Sequence, residues 1–269
     1  MNMRETKETP VFFSDLDRTL IFSKKFQKEG IDSLLVEEKD GKPISYMTRE
    51  GFSILQELKK NESIFIPVST RTWETMTRVG FIKDSLPEWM ICDNGAHIYH
   101  NGERLKEWED HINKKRQEHT LTASQLEQTI RYMFEDKGLK DIINREDIYL
   151  MVKFEEMTGE VRQSLEVLNL SLRKKGYRMD INSRKAYLLP DYVRKEDAVE
   201  FLIKQQGWDF TISAGDSYMD LEMLRKTTHG FAPRHKSFTE DFMHVTHQKG
   251  MLAGEELLNA VQHLCRYVR

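Results

Sequence analysis

Val11-Phe12-Phe13-Ser14-Asp15-Leu16-Asp17-Arg18-Thr19-Leu20 decides how the rest of the chain is read. An apolar run with strand character delivers two carboxylates, spaced i and i+2, to a turning point. Residues at that spacing share one face of a strand and can converge just past its end. Converging carboxylates repel and desolvate one another, so folding alone does not favour them. A divalent cation or a reaction would account for them, with Asp15 attacking as a nucleophile and Asp17 carrying a proton. The competing reading is a polar loop in which Asp17 and Thr19 make turn hydrogen bonds.

Phe210-Thr211-Ile212-Ser213-Ala214-Gly215-Asp216-Ser217-Tyr218-Met219-Asp220-Leu221 repeats the grammar near the other end of the chain. A β-prone run reaches a permissive Gly and then acids, and Ser217 is placed to cap a following helix. Asp216 therefore stands at the carboxyl end of a strand, where open α/β sheets build their sites. Asp15 and Asp216 are expected to meet at one cation.

Bulk properties narrow the classes. The 269 residues suffice for one large domain or two modest ones. Hydrophobic residues make up 39% and charged residues 32%, the mixture of a packed core under a charged surface. A net charge of −3 gives no basic footprint for nucleic acid. Apolar runs are strand-sized, which argues against a membrane span, and Met1–Pro10 is too polar for a signal peptide. Two cysteines, Cys92 and Cys265, form no disulfide or metal framework and suit a reducing cytoplasm. The oligomeric state is left open.

Between the two acidic segments the periodicities alternate. A hairpin is expected around Lys39-Asp40-Gly41-Lys42, then a helix capped by Thr48, and a strand from Ser63 to Val68 ending at Ser69-Thr70-Arg71. Ser69 and Thr70 are each also candidate caps for the short helix that follows. Met90 to Tyr99 reads as strand, Asn94-Gly95 turn and strand. The stretch from His100 to Arg145 is very polar, with helices predicted over Glu103–Glu118 and Ser124–Lys137. A strand over 148–154, a helix from Thr158 to Lys175 and a hairpin over 177–189 follow. Lys195–Gln206 and Glu255–Tyr267 are further predicted helices. The outer thirds alternate strand and helix as a doubly wound parallel sheet does, and the middle third reads as an inserted α+β unit. His97, His100, His111 and His119 lack a zinc spacing and read as packing or surface residues.

The order of motifs is similar to that of the haloacid dehalogenase superfamily. Asp15-Leu16-Asp17-Arg18-Thr19-Leu20 resembles its motif I, Ser69 its motif II hydroxyl, Lys195 its motif III lysine, and Gly215-Asp216-Ser217-Tyr218-Met219-Asp220 its motif IV. Asn94-Gly95-Ala96 and the tail Gly250 to Leu258 resemble the Cof-type, sucrose-phosphate-phosphatase-like branch with class IIB caps. The resemblance implies a Rossmann-like core over 1–97 and 189–269, with an inserted specificity cap over 98–188. It implies a phosphatase acting on a small phosphorylated metabolite, plausibly a sugar phosphate, through an aspartyl phosphate. Asp15 would be the nucleophile, Asp17 the acid and base, and Ser69 and Lys195 the partners of the phosphoryl group. Ser69 is favoured over Thr70 for standing nearest the strand end. Asn94, Thr70 and Arg71 are candidate substrate contacts. Mg²⁺ is the implied cofactor, held by Asp15, Asp216 and the Asp17 carbonyl, with Asp220 closer to an orienting role. Arg18 stands where the branch often has Gly, and Met219 where it often has Asn. These departures keep open a weakened, regulatory protein, and a phosphomutase is the alternative within the enzyme class.

Overall fold

The computed structural model describes residues 9–60 and 63–267, so the first residues of the polar amino-terminal stretch lie outside the described part. The chain divides into two compact units, 1–105 with 194–269 and 106–193.

The first unit begins with β1 (Val11–Ser14), a wholly buried strand. A short β2 (Phe22–Ser23), the hairpin β3 (Ser33–Lys39) and β4 (Lys42–Thr48), and α1 (Arg49–Lys60) follow. The hairpin turns at Asp40 and Gly41, both at positive φ, the backbone that such a two-residue turn demands. Thr48 accepts a hydrogen bond from the Gly51 N–H at 3.1 Å and so caps α1. Next come β5 (Ile64–Pro67), the single turns α2 (Trp73–Met76) and α3 (Gly80–Lys83), and an antiparallel ladder of β6 (Trp89–Cys92), β7 (His97–His100) and β8 (Glu103–Arg104). That ladder carries the first unit on to Leu105.

The second unit holds α4 (Lys106–Glu118), α5 (Ala123–Met133), β9 (Leu139–Arg145), β10 (Tyr149–Phe154), α6 (Gly159–Arg173), β11 (Tyr177–Asn182) and β12 (Lys185–Pro190). Its strands form an antiparallel sheet in the order β11-β12-β10-β9. Apolar residues of α5 and α6, Leu126, Ile130, Leu165 and Leu172 among them, close a core with Leu150, Val152 and Leu188. Strand β9 was not expected from its sequence. Its charged residues hide the alternation, and pairing with β10 decides its conformation.

The chain then returns to the first unit with α7 (Lys195–Gln206), β13 (Thr211–Ala214), α8 (Leu221–Lys226), β14 (His229–Ala232), β15 (His244–Val245) and α9 (Met251–Tyr267). The last helix starts four residues before the expected Glu255. The main sheet runs β15-β14-β13-β1-β5, parallel throughout, so the α/β class with an inserted α+β segment is what the chain adopts. A parallel bridge from Val68 to Ile91 joins β6 to the far side of β5. The chain goes from β1 to β5 on one side and later enters β13 on the other, which makes β1 the switch point of the sheet. Register then does the rest. Ser14 pairs with both Pro67 and Ala214, so three strands end level and their following residues meet at one edge.

The Asn94-Gly95 turn bears on that edge. Asn94 is left-handed at φ 58, and its N–H donates to the Ser69 carbonyl at 2.9 Å. Gly95 has φ 95, and a Cβ there would collide with the carbonyl of Arg194 at the start of α7. The turn thus forms the seat of the helix that presents Lys195. Gly95→Ala is expected to push that helix start away. Unfolding in urea should show a loss of about 2–4 kcal/mol, since strain and an overpacked backbone contact add.

Candidate active site

Asp15 is the first residue past β1. Its N–H donates to the Ala214 carbonyl at 2.9 Å, which continues the parallel ladder by one step and fixes the side chain at the sheet edge. One carboxylate oxygen accepts from Thr19 Oγ1 at 3.1 Å and the other from Lys195 Nζ at 2.8 Å. Lys195 Nζ also donates to Asp220 Oδ1 at 2.6 Å. Lys195 is 1% exposed, and its charge is held by these two carboxylates. The neighbouring Arg194 lies instead 3.7 Å from Glu196.

Asp220 is bound on its other side as well. Its Oδ2 accepts from the N–H groups of Asp216 and Ser217 at 3.1 and 2.9 Å, and from Ser217 Oγ at 2.7 Å. Ser217 therefore does not cap α8 as expected; it orients Asp220. This closed loop needs Gly215, because a Cβ there would overlap the Asp220 side chain. Asp220, so oriented, supports Lys195 directly.

Among the described residues, Asp15, Asp216 and Asp220 place carboxylate oxygens within 4.8 Å of one another, and all three are buried. Burial pushes the Asp15 carboxyl up to about 7, with Lys195 opposing the rise and Asp220 adding to it. Burial likewise raises Asp216 to about 8, reinforced by Asp15 and Asp220. Lys195 is raised because its two carboxylates outweigh its own desolvation. The cluster is short of positive charge, and its donors are hard oxygens, the set that suits Mg²⁺ or a similar cation.

The Asp17 carboxylate is not one of these three, although its charge adds to the rise at Asp15. The chain leaves the strand at Asp15, and Asp17 turns outward to accept from Arg71 Nε at 2.6 Å and Nη2 at 2.8 Å. Arg71 also donates to both oxygens of Glu37, each at 2.9 Å. Arg78 and Ser45 complete the shell of Glu37, at 3.3 and 2.8 Å. Glu37 escaped the sequence reading. In a regular strand it would share the exposed face of Leu35, but irregular pairing of β3 with β4 at this residue turns it inward. A carboxylate next to a buried Val is a weak signal that only the bulge resolves.

Ser69 is buried, its N–H donating to the Ile91 carbonyl and its Oγ accepting from the Arg71 N–H at 3.3 Å. Neither Ser69 nor Thr70 caps the next helix; Thr72 does, accepting from the Thr75 N–H at 3.3 Å. Asn94 lies beside Ser69 through its backbone bond. The histidines are packing residues: His100 stacks on Trp89, His111 on Trp108, and His119 bonds the Gly176 carbonyl.

Two outcomes are expected. Glu37→Gln should lower stability by about 2 kcal/mol in urea unfolding, because hydrogen bonds from two arginines lose their charged acceptor. Because Asp15 and Asp216 hold protons more tightly folded than unfolded, the cation-free protein should lose stability as pH rises from about 4 to about 8. A divalent cation binds the ionised cluster, so its gain in Tm should be larger at about pH 8 than at about pH 5.5 by scanning fluorimetry.

No curated protein sequence matches the chain. Solved structures do. The sucrose-phosphatase of Synechocystis sp. PCC6803, determined with sucrose and phosphate, has a TM-score of 0.64 at 13% identity over 95% of this chain and 98% of its own. A trehalose-6-phosphate phosphatase related protein reaches 0.61 at 17% identity over 96% and 100%. A sugar phosphatase of haloacid dehalogenase subclass IIB reaches 0.62 at 16% over 95% and 99%. The sequence model of the sucrose-6F-phosphate phosphohydrolase family matches residues 8–249. With that match spanning the acidic edge and the inserted unit alike, the chain belongs to the sucrose-6F-phosphate phosphohydrolase family, a phosphatase of the haloacid dehalogenase superfamily.

Proposed function

We propose that this phosphatase hydrolyses the phosphate monoester of a sugar through an aspartyl phosphate on Asp15, with Mg²⁺ as its cation. The observation that carries the reading is the Lys195 bridge between Asp15 and Asp220 at the switch point of a parallel sheet. Asp15 is the nucleophile. One of its oxygens is tied to Lys195 and Thr19 ties the other, so the carboxylate is aimed before substrate arrives. Lys195 opposes the rise that burial causes at Asp15 and offers fixed charge to the phosphoryl oxygens. Ser69, two residues past Pro67 at the same sheet edge, is the hydroxyl that donates to the same group, and Thr70 and Asn94 lie next to it in the chain or across the turn.

Asp15, Asp216 and the Asp17 carbonyl would hold Mg²⁺, with Asp220 keeping Lys195 and the 216–217 backbone in place. The chemistry a bound cation supplies there is charge neutralisation between the carboxylates and the phosphate dianion. Asp17 is the acid and base. Both of its oxygens accept from Arg71 in the structure, the state of a base ready for water rather than of a proton donor. Arg71, fixed in turn by Glu37, is a positioning residue for Asp17. The first unit thus carries the complete phosphoryl chemistry, and discrimination among sugars is assigned to the inserted 106–193 unit. The family match and the sugar phosphatases among the structural relatives support the substrate class.

Phosphate release from sucrose 6F-phosphate, trehalose 6-phosphate and hexose phosphates, with and without Mg²⁺, tests the reading. At least one sugar phosphate should be hydrolysed only with the cation. Asp15→Asn should reduce turnover by at least about 10³-fold while the thermal transition persists, because shape is kept and the nucleophile lost. Cation-independent turnover, or turnover of Asp15→Asn within about tenfold of wild type, would overturn it.

A further inference from the structure

Arg18 occupies a position that a long side chain rarely takes. Its φ is 67, the left-handed region that costs most residues about 1–2 kcal/mol and glycine almost nothing. The backbone is clamped there. Arg18 N–H donates to the Ile21 carbonyl at 2.8 Å, and His235 Nε2 donates to the Arg18 carbonyl at 2.9 Å. His235 Nδ1 accepts from the Gly250 N–H at 3.2 Å, which leaves its proton on Nε2 and makes it a neutral donor. The His235 ring packs against Phe22 and Phe26. The clamp points the Arg18 side chain at the acidic edge, where Nε lies 3.3 Å from Asp216 Oδ2.

That contact is a charge contact with poor hydrogen-bond alignment. Arg18 Nε is buried and has no hydrogen-bond partner among the described residues, and Nη2 makes only a long 3.4 Å bond to the His235 carbonyl. The guanidinium is therefore near Asp216 but weakly anchored to it. Three clustered carboxylates face two cations, Lys195 and Arg18. Lys195 is locked by two short bonds, whereas Arg18 is 37% exposed and can move aside.

We propose that Arg18 is a built-in competitor for the divalent cation: it neutralises Asp216 in the cation-free protein and weakens the site's hold on the metal. The inference rests on the metal reading above and concerns affinity, not the chemical step. A positive charge about 3–4 Å from a ligand oxygen opposes a second cation there, and partial exposure screens the effect to about tenfold in affinity.

The test is calorimetric titration of the whole protein with MgCl₂ and MnCl₂, wild type against Arg18→Gly, Arg18→Asn and Arg18→Lys. Gly and Asn both accept the left-handed backbone and lack the charge. Each should bind Mg²⁺ about tenfold more tightly than wild type, while Arg18→Lys stays within about threefold of it. Thermal denaturation of each variant verifies a folded sample. Equal Mg²⁺ affinity in wild type, Gly and Asn proteins overturns the proposal and leaves the phosphatase reading standing. Tightening in Arg18→Lys equal to that in Arg18→Gly also overturns it, because charge would then be irrelevant. Absence of Mg²⁺ and Mn²⁺ binding in every variant removes both this proposal and the metal half of the functional reading.

Discussion

The ammonium of Lys195, buried between Asp15 and Asp220, is the interaction on which the active edge depends. Three carboxylates gathered at the end of a buried sheet repel each other and lose hydration. Without an internal cation they would hold protons or splay apart. Lys195 offsets that cost for two of them, and its own burial is tolerable only because both partners are charged and close. The pair is mutual: each member is unfavourable alone and stable together, which is why removal of one end of such a bridge is far costlier than the net worth of the whole.

Much of the surrounding architecture keeps that bridge in register. Strands β13, β1 and β5 end level, so residues from distant parts of the chain arrive at one edge with no side chain needing to reach. Gly95 lets the 93–95 turn press against the Arg194 carbonyl, and α7 starts with Lys195 already inside. Gly215 allows Asp220 to fold back over the strand end and accept three hydrogen bonds at one oxygen. These are positional demands on backbone, and glycine answers both.

A second charge system, Asp17–Arg71–Glu37, flanks the first. Arg71 spends its forked donors on two carboxylates at once, a geometry that lysine could not reproduce. The hairpin that carries Glu37 is thereby tied to the strand end that carries Arg71. The first unit thus separates two kinds of carboxylate. Asp15 and Asp216 are held where their pKa values climb, and Asp17 is held by a guanidinium in a half-exposed place.

The sequence by itself determined the alternation of strands and helices in the outer thirds, the parallel sheet, the helix at Lys195–Gln206, and the strand-end positions of Asp15, Asp216 and Ser69. All of these follow from local period, turn residues and short spacings, which act within one element. It also singled out Lys195 and Asp220 by motif order, though nothing local shows that Lys195 meets Asp15, 180 residues away. Tertiary structure alone decided the rest. Asp17 is bound by Arg71, 54 residues further along the chain. Glu37 is buried because a bulge reverses its face, and β9 is a strand because β10 pairs with it. Arg18 meets Asp216 because His235, far along the chain, holds its backbone left-handed. Each of these is set by a partner distant in sequence, and a distant partner leaves no periodic mark on the residues it orients.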